Sequence, residues 1–140
     1  MLHKLTKKYP IKVLFSWGLA IGGKKEIREW LINNGYKELG IFVYALHLKD
    51  DARNWLLKHY PHLMALINAV EENKQALQWL QKHEFEALYH VAKAALHHNE
   101  SKKWLEVKQL KELLFVAQQI AMVKEQIDME HNDVHKISKS

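Results

Sequence analysis

Apolar positions recur along this chain at helical spacing, and the helical pattern itself repeats. Trp-Leu pairs stand at Trp30-Leu31, Trp55-Leu56, Trp79-Leu80 and Trp104-Leu105, at intervals of 25, 24 and 25 residues. A fixed period of this size is the mark of a stacked repeat architecture. Aligned on the Trp, the units share further columns without an insertion. Sixteen residues earlier stands leucine (Leu14, Leu39, Leu63, Leu88), and thirteen earlier a bulky apolar residue (Trp17, Phe42, Leu66, Val91). Ten earlier stands alanine in every unit (Ala20, Ala45, Ala69, Ala94), and nine earlier another apolar residue (Ile21, Leu46, Val70, Ala95). Steps of three, three and one place these residues on one stripe of a helix. They predict long helices over 11–21, 36–48, 60–72 and 85–98. The residue three before each Trp (Ile27, Ala52, Ala76, Ser101) and the Leu after it share a face of a second, shorter helix. Those helices are expected over 26–33, 51–58, 75–83 and 100–108.

The punctuation agrees with two helices per unit. Gly22-Gly23, Asp50-Asp51, Asn73 and Asn99 follow the long helices, where a left-handed stop or a cap for the next helix is wanted. Asn33-Asn34-Gly35 ends the first short helix, and Pro61 opens a long one, where its missing N–H is no loss. Alanine at a fixed place implies a helix crossing too close for a larger side chain. The repeated tryptophans are expected to be buried between successive hairpins, so that truncation to Ala costs about 3–5 kcal/mol.

After residue 109 the stripe continues through Leu110, Leu113, Val116 and Ile120, with Gln119 in place of the alanine and no further Trp-Leu. This predicts a C-terminal capping helix over 110–130 that shields one end of the stack. The expected fold is all-α, a single domain over 1–140: a right-handed α-solenoid of four short helix-turn-helix repeats (11–35, 36–59, 60–84, 85–109) plus that cap. Residues 1–8 and 132–140 carry no stripe and are expected to be loose.

Composition narrows the chemistry. The chain has no cysteine, which excludes a disulfide framework and any thiolate site and fits the cytoplasm. The apolar stretch 13–21 behind Lys7-Lys8 is short for a signal sequence and fits the repeat columns, and no run approaches the ~20 residues of a membrane span. A net charge of +5 admits nucleic acid or an anionic surface as a partner. Against specific nucleic-acid binding, only Arg28 and Arg53 of the 21 basic residues are arginine, the residue that grips phosphates and base edges in a fork. The densest basic cluster is Lys4, Lys7, Lys8 and Lys12, joined by Lys24 and Lys25.

No nucleophile elbow, phosphate loop or zinc-protease motif occurs, so no catalytic residue, cofactor or metal is expected. The histidine pair His97-His98 reads as complementing the end of a long helix. His59 and His83 occupy one slot, four residues after their Trp, and read as capping. His131 and His135 have metal-pair spacing but no packed third ligand. The columns that packing leaves unexplained are those that vary. Fourteen residues before each Trp the units read Ser16, Ile41, Ala65, His90, and eleven before they read Leu19, Tyr44, Asn68, Lys93. Equivalent positions line up across a stack, so Ile41, Tyr44, Asn68, His90 and Lys93 form the candidate protein-binding face.

These columns resemble the α-helical hairpin repeats, the class of ankyrin, tetratricopeptide and HEAT arrays, over residues 11–130. The likeness is architectural: the ankyrin T-P-L-H-x-A is absent and the period is shorter than about 33 residues. It is the short-hairpin style found in bacterial proteins, and it implies a binding role without supplying a site motif. The expected function is therefore a non-enzymatic module for a protein or peptide, as a monomer or weak dimer. The competing expectation is a nucleic-acid or anionic-surface binder that uses the basic N-terminal half.

Overall fold

The computed structural model describes the backbone of residues 8–139 and the side chains of residues 8–130. The expectations for residues 1–7 and for the side chains of 131–140, His131 and His135 included, lie outside that range. Nine helices and no strand occur among the described residues. They are α1 (Ile11–Ile21), α2 (Lys25–Asn33), α3 (Lys37–Leu46), α4 (Asp50–His59), α5 (Pro61–Val70), α6 (Lys74–Lys82), α7 (Glu86–Ala95), α8 (Asn99–Val107) and α9 (Lys111–Lys139).

Each repeat is two helices, as the columns predict, but the expected long helices stop two or three residues early, at Leu46, Val70 and Ala95. The two helices of a unit are therefore of nearly equal length. The reason lies in how they end. Seven helix ends place a residue in the left-handed region just past the helix: Gly23, Gly35, Leu48, Glu72, Glu84, His97 and Gln109. The next N–H then reaches back five residues, as Lys49 N–H does to the Tyr44 carbonyl and His98 N–H to that of Lys93. This closure satisfies carbonyls the helix end leaves open. Two of the seven are glycine and visible in sequence; the other five carry side chains that favour helix interiors or give no signal. At the junction of α4 and α5 the turn differs, because Pro61 keeps Tyr60 out of helical geometry (φ −141°, ψ 65°). Asn73 caps α6 as expected, its Oδ1 accepting from Ala76 N–H at 3.0 Å.

The repeated stripe faces the core. Leu14, Leu39, Leu63 and Leu88 are fully buried, and Ala20, Ala45, Ala69 and Ala94 are buried with them. The first helices of the units pack in sequence, α1 on α3, α3 on α5, α5 on α7, and α7 on α9. The circuit then closes, because α9 makes its most extensive contact with α1. An open stack with one shielded end keeps its first and last units apart; here they meet. The contact is built from small residues facing rings. A Cβ added at Gly18 would lie 2.5 Å from the Phe115 ring, and one at Gly22 would fall on the Gln119 side chain. Phe15 packs on Phe115 from the same helix as Gly18, with centroids 5.9 Å apart. Gln119, the residue that breaks the alanine column, thus belongs to the closure. Gly40 plays a similar part where α3 crosses α2 against Ile32.

The repeated tryptophans depart from expectation. Leu31, Leu56, Leu80 and Leu105 are fully buried, whereas Trp30 is 48% exposed and Trp55, Trp79 and Trp104 are half-buried. Neighbouring positions on a helix point about 100° apart, so only one of each pair can face the core. The indoles instead pack against the aromatic residue that opens the next unit: Trp30 on Tyr36, Trp55 on Tyr60 and Trp79 on Phe85. The fully buried tryptophan is Trp17, in edge-to-face contact with Phe42 at 5.0 Å.

Ahead of α1, Tyr9 is buried and its hydroxyl donates to Glu38 Oε2 at 2.6 Å, with Lys8 Nζ 3.5 Å from the same oxygen. Burial pushes the Tyr9 phenol well above its ordinary value, and the bond and charge of Glu38 push it further. A folded-state value raised in this way favours the neutral phenol. Its stabilisation is full below the unfolded value of 10.0 and is lost as pH rises beyond it. Tyr9→Phe is expected to destabilise the fold by about 1.5–3 kcal/mol at neutral pH, since the lost bond is to a carboxylate. Urea denaturation of both proteins from pH 8 to pH 11 checks this: their difference should shrink at the alkaline end.

Candidate functional site

Two residues of the variable columns, Ile41 and Tyr44, line one concavity. A groove of about 390 Å³ lies between α3 and α4, lined by Lys37, Ile41, Tyr44, Lys49, Asp51, Ala52 and Trp55. Helix α3 contributes Lys37, Ile41 and Tyr44 at steps of four and three, one face of a helix. The turn into α4 brings Lys49, and the first turns of α4 bring Asp51, Ala52 and Trp55. The lining is mostly apolar and includes the Trp55 indole and the Ile41 side chain. Tyr44 is held from α2: the Arg28 guanidinium lies 4.5 Å from its ring centre, and its hydroxyl donates to Glu29 Oε1 at 3.3 Å. Lys37 Nζ sits 5.2 Å from the Trp55 ring centre. Among the described residues neither Lys37 nor Lys49 has a carboxylate within ion-pair distance.

Two of the five candidate residues, Ile41 and Tyr44, line the groove. His90 does not: it is half-buried, its Nδ1 lies 2.8 Å from the buried Ser101 hydroxyl, and its ring stacks on Trp104 at 4.1 Å and 17°. Lys93 Nζ lies over the ring of Tyr89, 5.3 Å from its centre. Asn68, half-buried near the end of α5, accepts the Asn73 N–H through its carbonyl. The expected strip across all the units is thus a groove in the second unit with separate surroundings in the others.

Lys37, Lys49 and Trp55 were not legible as site residues. Trp55 belongs to a column that packing explains, and exposure is invisible in it. Ala52 gives no separate signal, because Ala76 holds the same place beside Trp79.

The remaining polar clusters are structural. Arg53 forks onto Glu71 at 3.0 and 3.1 Å and donates from Nε to the Ala45 carbonyl at 2.9 Å, tying α4 to the ends of α3 and α5. His83 Nδ1 lies 2.9 Å from the Trp79 carbonyl, the contact of a residue capping its own helix, and His59 packs on the Trp55 ring. His97 and His98 lie in the turn just past the end of α7. His97 occupies the left-handed turn position and its Nε2 contacts Glu125 Oε1 of α9, while His98 is the residue before α8. Such a turn needs one residue past the helix, and here a histidine takes it.

A second surface feature is a band of rings along the starts of α3, α5 and α7. Tyr9 packs on Tyr36, Tyr60 on His62 and His62 on Phe85, with the Lys8 ammonium 4.6 Å from the Tyr60 ring centre. Trp79 stacks with both Phe85 and His83. Among the described residues no group of three His, Asp or Glu side chains could hold a metal ion, and no helix is long and apolar enough to cross a membrane. No family model matches this chain, and no curated protein or solved structure matches it either.

Proposed function

We propose that the protein is a non-enzymatic binding module, built as a closed array of helical hairpins, that holds a segment of another protein in the groove between α3 and α4. The observation that supports this is the groove itself. It is apolar, open, walled by a half-buried indole and a tyrosine, and rimmed by two lysines without ion-pair partners among the described residues. Aromatic anchors in a partly dry pocket with a polar rim are the usual seat of protein-recognition energy. The competing reading, a single nucleic-acid strand on the aromatic band, has in its favour the alternation of rings with Lys8. Against it, the rings of the band use faces on one another, as Trp79 does with Phe85 and His83, whereas a strand binder needs free faces for the bases.

The test is affinity capture from a lysate of the source organism, with and without nuclease, using wild type and a variant whose groove is filled by Ile41→His with Ala52→Ser. The expected result is a protein recovered by wild type, insensitive to nuclease and lost with the filled variant. A partner retained by the filled variant overturns the groove reading. Capture that vanishes with nuclease and with moderate salt transfers the function to nucleic acid.

A further inference from the structure

We propose that the groove between α3 and α4 takes a peptide segment presenting a planar aromatic side chain beside an acidic one; this rests on the groove being the binding site argued above. The fold holds its own template for the aromatic half. The fourth unit has His90 where the second has Ile41, Ser101 where it has Ala52, and Trp104 where it has Trp55. There the His90 ring lies flat on the Trp104 indole at 4.1 Å and is fixed by the Ser101 hydroxyl at 2.8 Å. The intramolecular ring fills the place that is open in the second unit. With Ile41 and Ala52 in those positions, no side chain of the second unit supplies the ring or its hydroxyl anchor. A ring arriving from a partner meets an indole face of the same repeat geometry. In the first unit the larger Ile27 stands where Ala52 does.

The charge of the groove supplies the other half. Lys37 and Lys49 flank it against the one carboxylate of Asp51. The fourth unit, which carries its own ring, has Glu86 and His98 at these two positions, and the third has Pro61 and Asn73. The first unit also has lysine at both positions, Lys12 and Lys24, but carries Ile27 in place of Ala52; the second unit joins both ammonium groups to the open groove. A carboxylate next to a ring seated on Trp55 would reach Lys37, whose Nζ already lies 5.2 Å from that indole. An ammonium–carboxylate bond formed at a half-desolvated rim is stronger than its neutral counterpart. A basic partner would instead place its cation beside two lysines.

The experiment is selection from a random linear heptapeptide phage library on the full-length protein, with counter-selection on the Ile41→His, Ala52→Ser variant. Thermal melting of that variant checks that it remains folded. The expected outcome is a consensus with Phe, Tyr or Trp adjacent to Asp or Glu. In synthetic winners, changing the acid to its amide should weaken binding about tenfold. That ratio should fall towards one in Lys37→Gln with Lys49→Gln, a pair of exposed substitutions that leaves the core intact. A consensus that depends on the open groove but is neutral or basic overturns the acidic part of the inference and leaves the groove reading standing. The absence of any peptide that distinguishes wild type from the filled variant overturns both.

Discussion

Removing residues 111–140 is expected to unfold the whole array rather than fray its last unit. In an open stack the loss of a terminal helix exposes one face of one neighbour, and the remaining units keep their contacts. Here α9 is bound on two sides, to α7 in the fourth unit and to α1 in the first. Leu113, Val116 and Ile120 are fully buried in those contacts and Val123 nearly so. Burial of four such side chains contributes roughly 6–12 kcal/mol, which is comparable to the roughly 5–15 kcal/mol that stabilises a whole domain. Opening the circuit also uncovers the α1 face that carries Phe15, Gly18 and Gly22, at the far end of the sequence from the deletion. Amide NMR and tryptophan fluorescence of the truncated chain make the distinction. Collapse of amide dispersion in every unit together with a red-shifted, quencher-accessible Trp17 is the expected result. Native shifts in the first two units would mean that the array does not depend on its closure.

Trp17→Ala should destabilise the protein far more than Trp30→Ala, although Trp30 belongs to the repeated Trp-Leu pairs and Trp17 does not. Trp17 is fully buried against Phe42, and its removal leaves a cavity among residues of several helices. Such truncations cost about 3–5 kcal/mol. The low end, about 3, is expected, because the Trp17 indole N–H is buried with no hydrogen-bond partner among the described residues, and its removal relieves a desolvation penalty. Trp30 is half exposed and packs one face on Tyr36, so its truncation should cost about 1 kcal/mol. Urea denaturation monitored by circular dichroism separates the two. Equal losses would mean that the repeated indoles carry core energy after all.

The groove shows where reading a sequence by columns loses its power. Column variation pointed to Ile41 and Tyr44, and both line the site. The same variation pointed to His90, which the fold spends on Ser101 and Trp104. A variable position and a binding position look alike in one sequence, because both escape the demand for a single residue class. What separates them is whether the local space is already filled, and that depends on the residues at two other columns taken together. Trp55 shows the opposite case: as a member of an unvarying column it reads as packing, yet it lines the groove.

What the sequence by itself determined is the repeat, its period, the all-helical class, the inward stripe of leucine and alanine, and the caps at Asn73 and Pro61. These follow from local periodicity and from residues whose backbone preference is strong on its own. Only the tertiary structure decided the left-handed stops at Leu48, Glu72 and Glu84, where residues without a left-handed preference adopt that conformation because both flanking helices are packed. It alone decided that the Leu, rather than the Trp, of each pair faces inward. It also decided that α9 returns to α1, a contact between residues about a hundred positions apart, which a pattern with a period of 24 or 25 cannot encode. Repetition specifies how each unit meets the next; the small rotation from unit to unit, summed over the array, sets whether the ends meet, and Gly18 and Gly22 against Phe115 and Gln119 are where that sum is resolved.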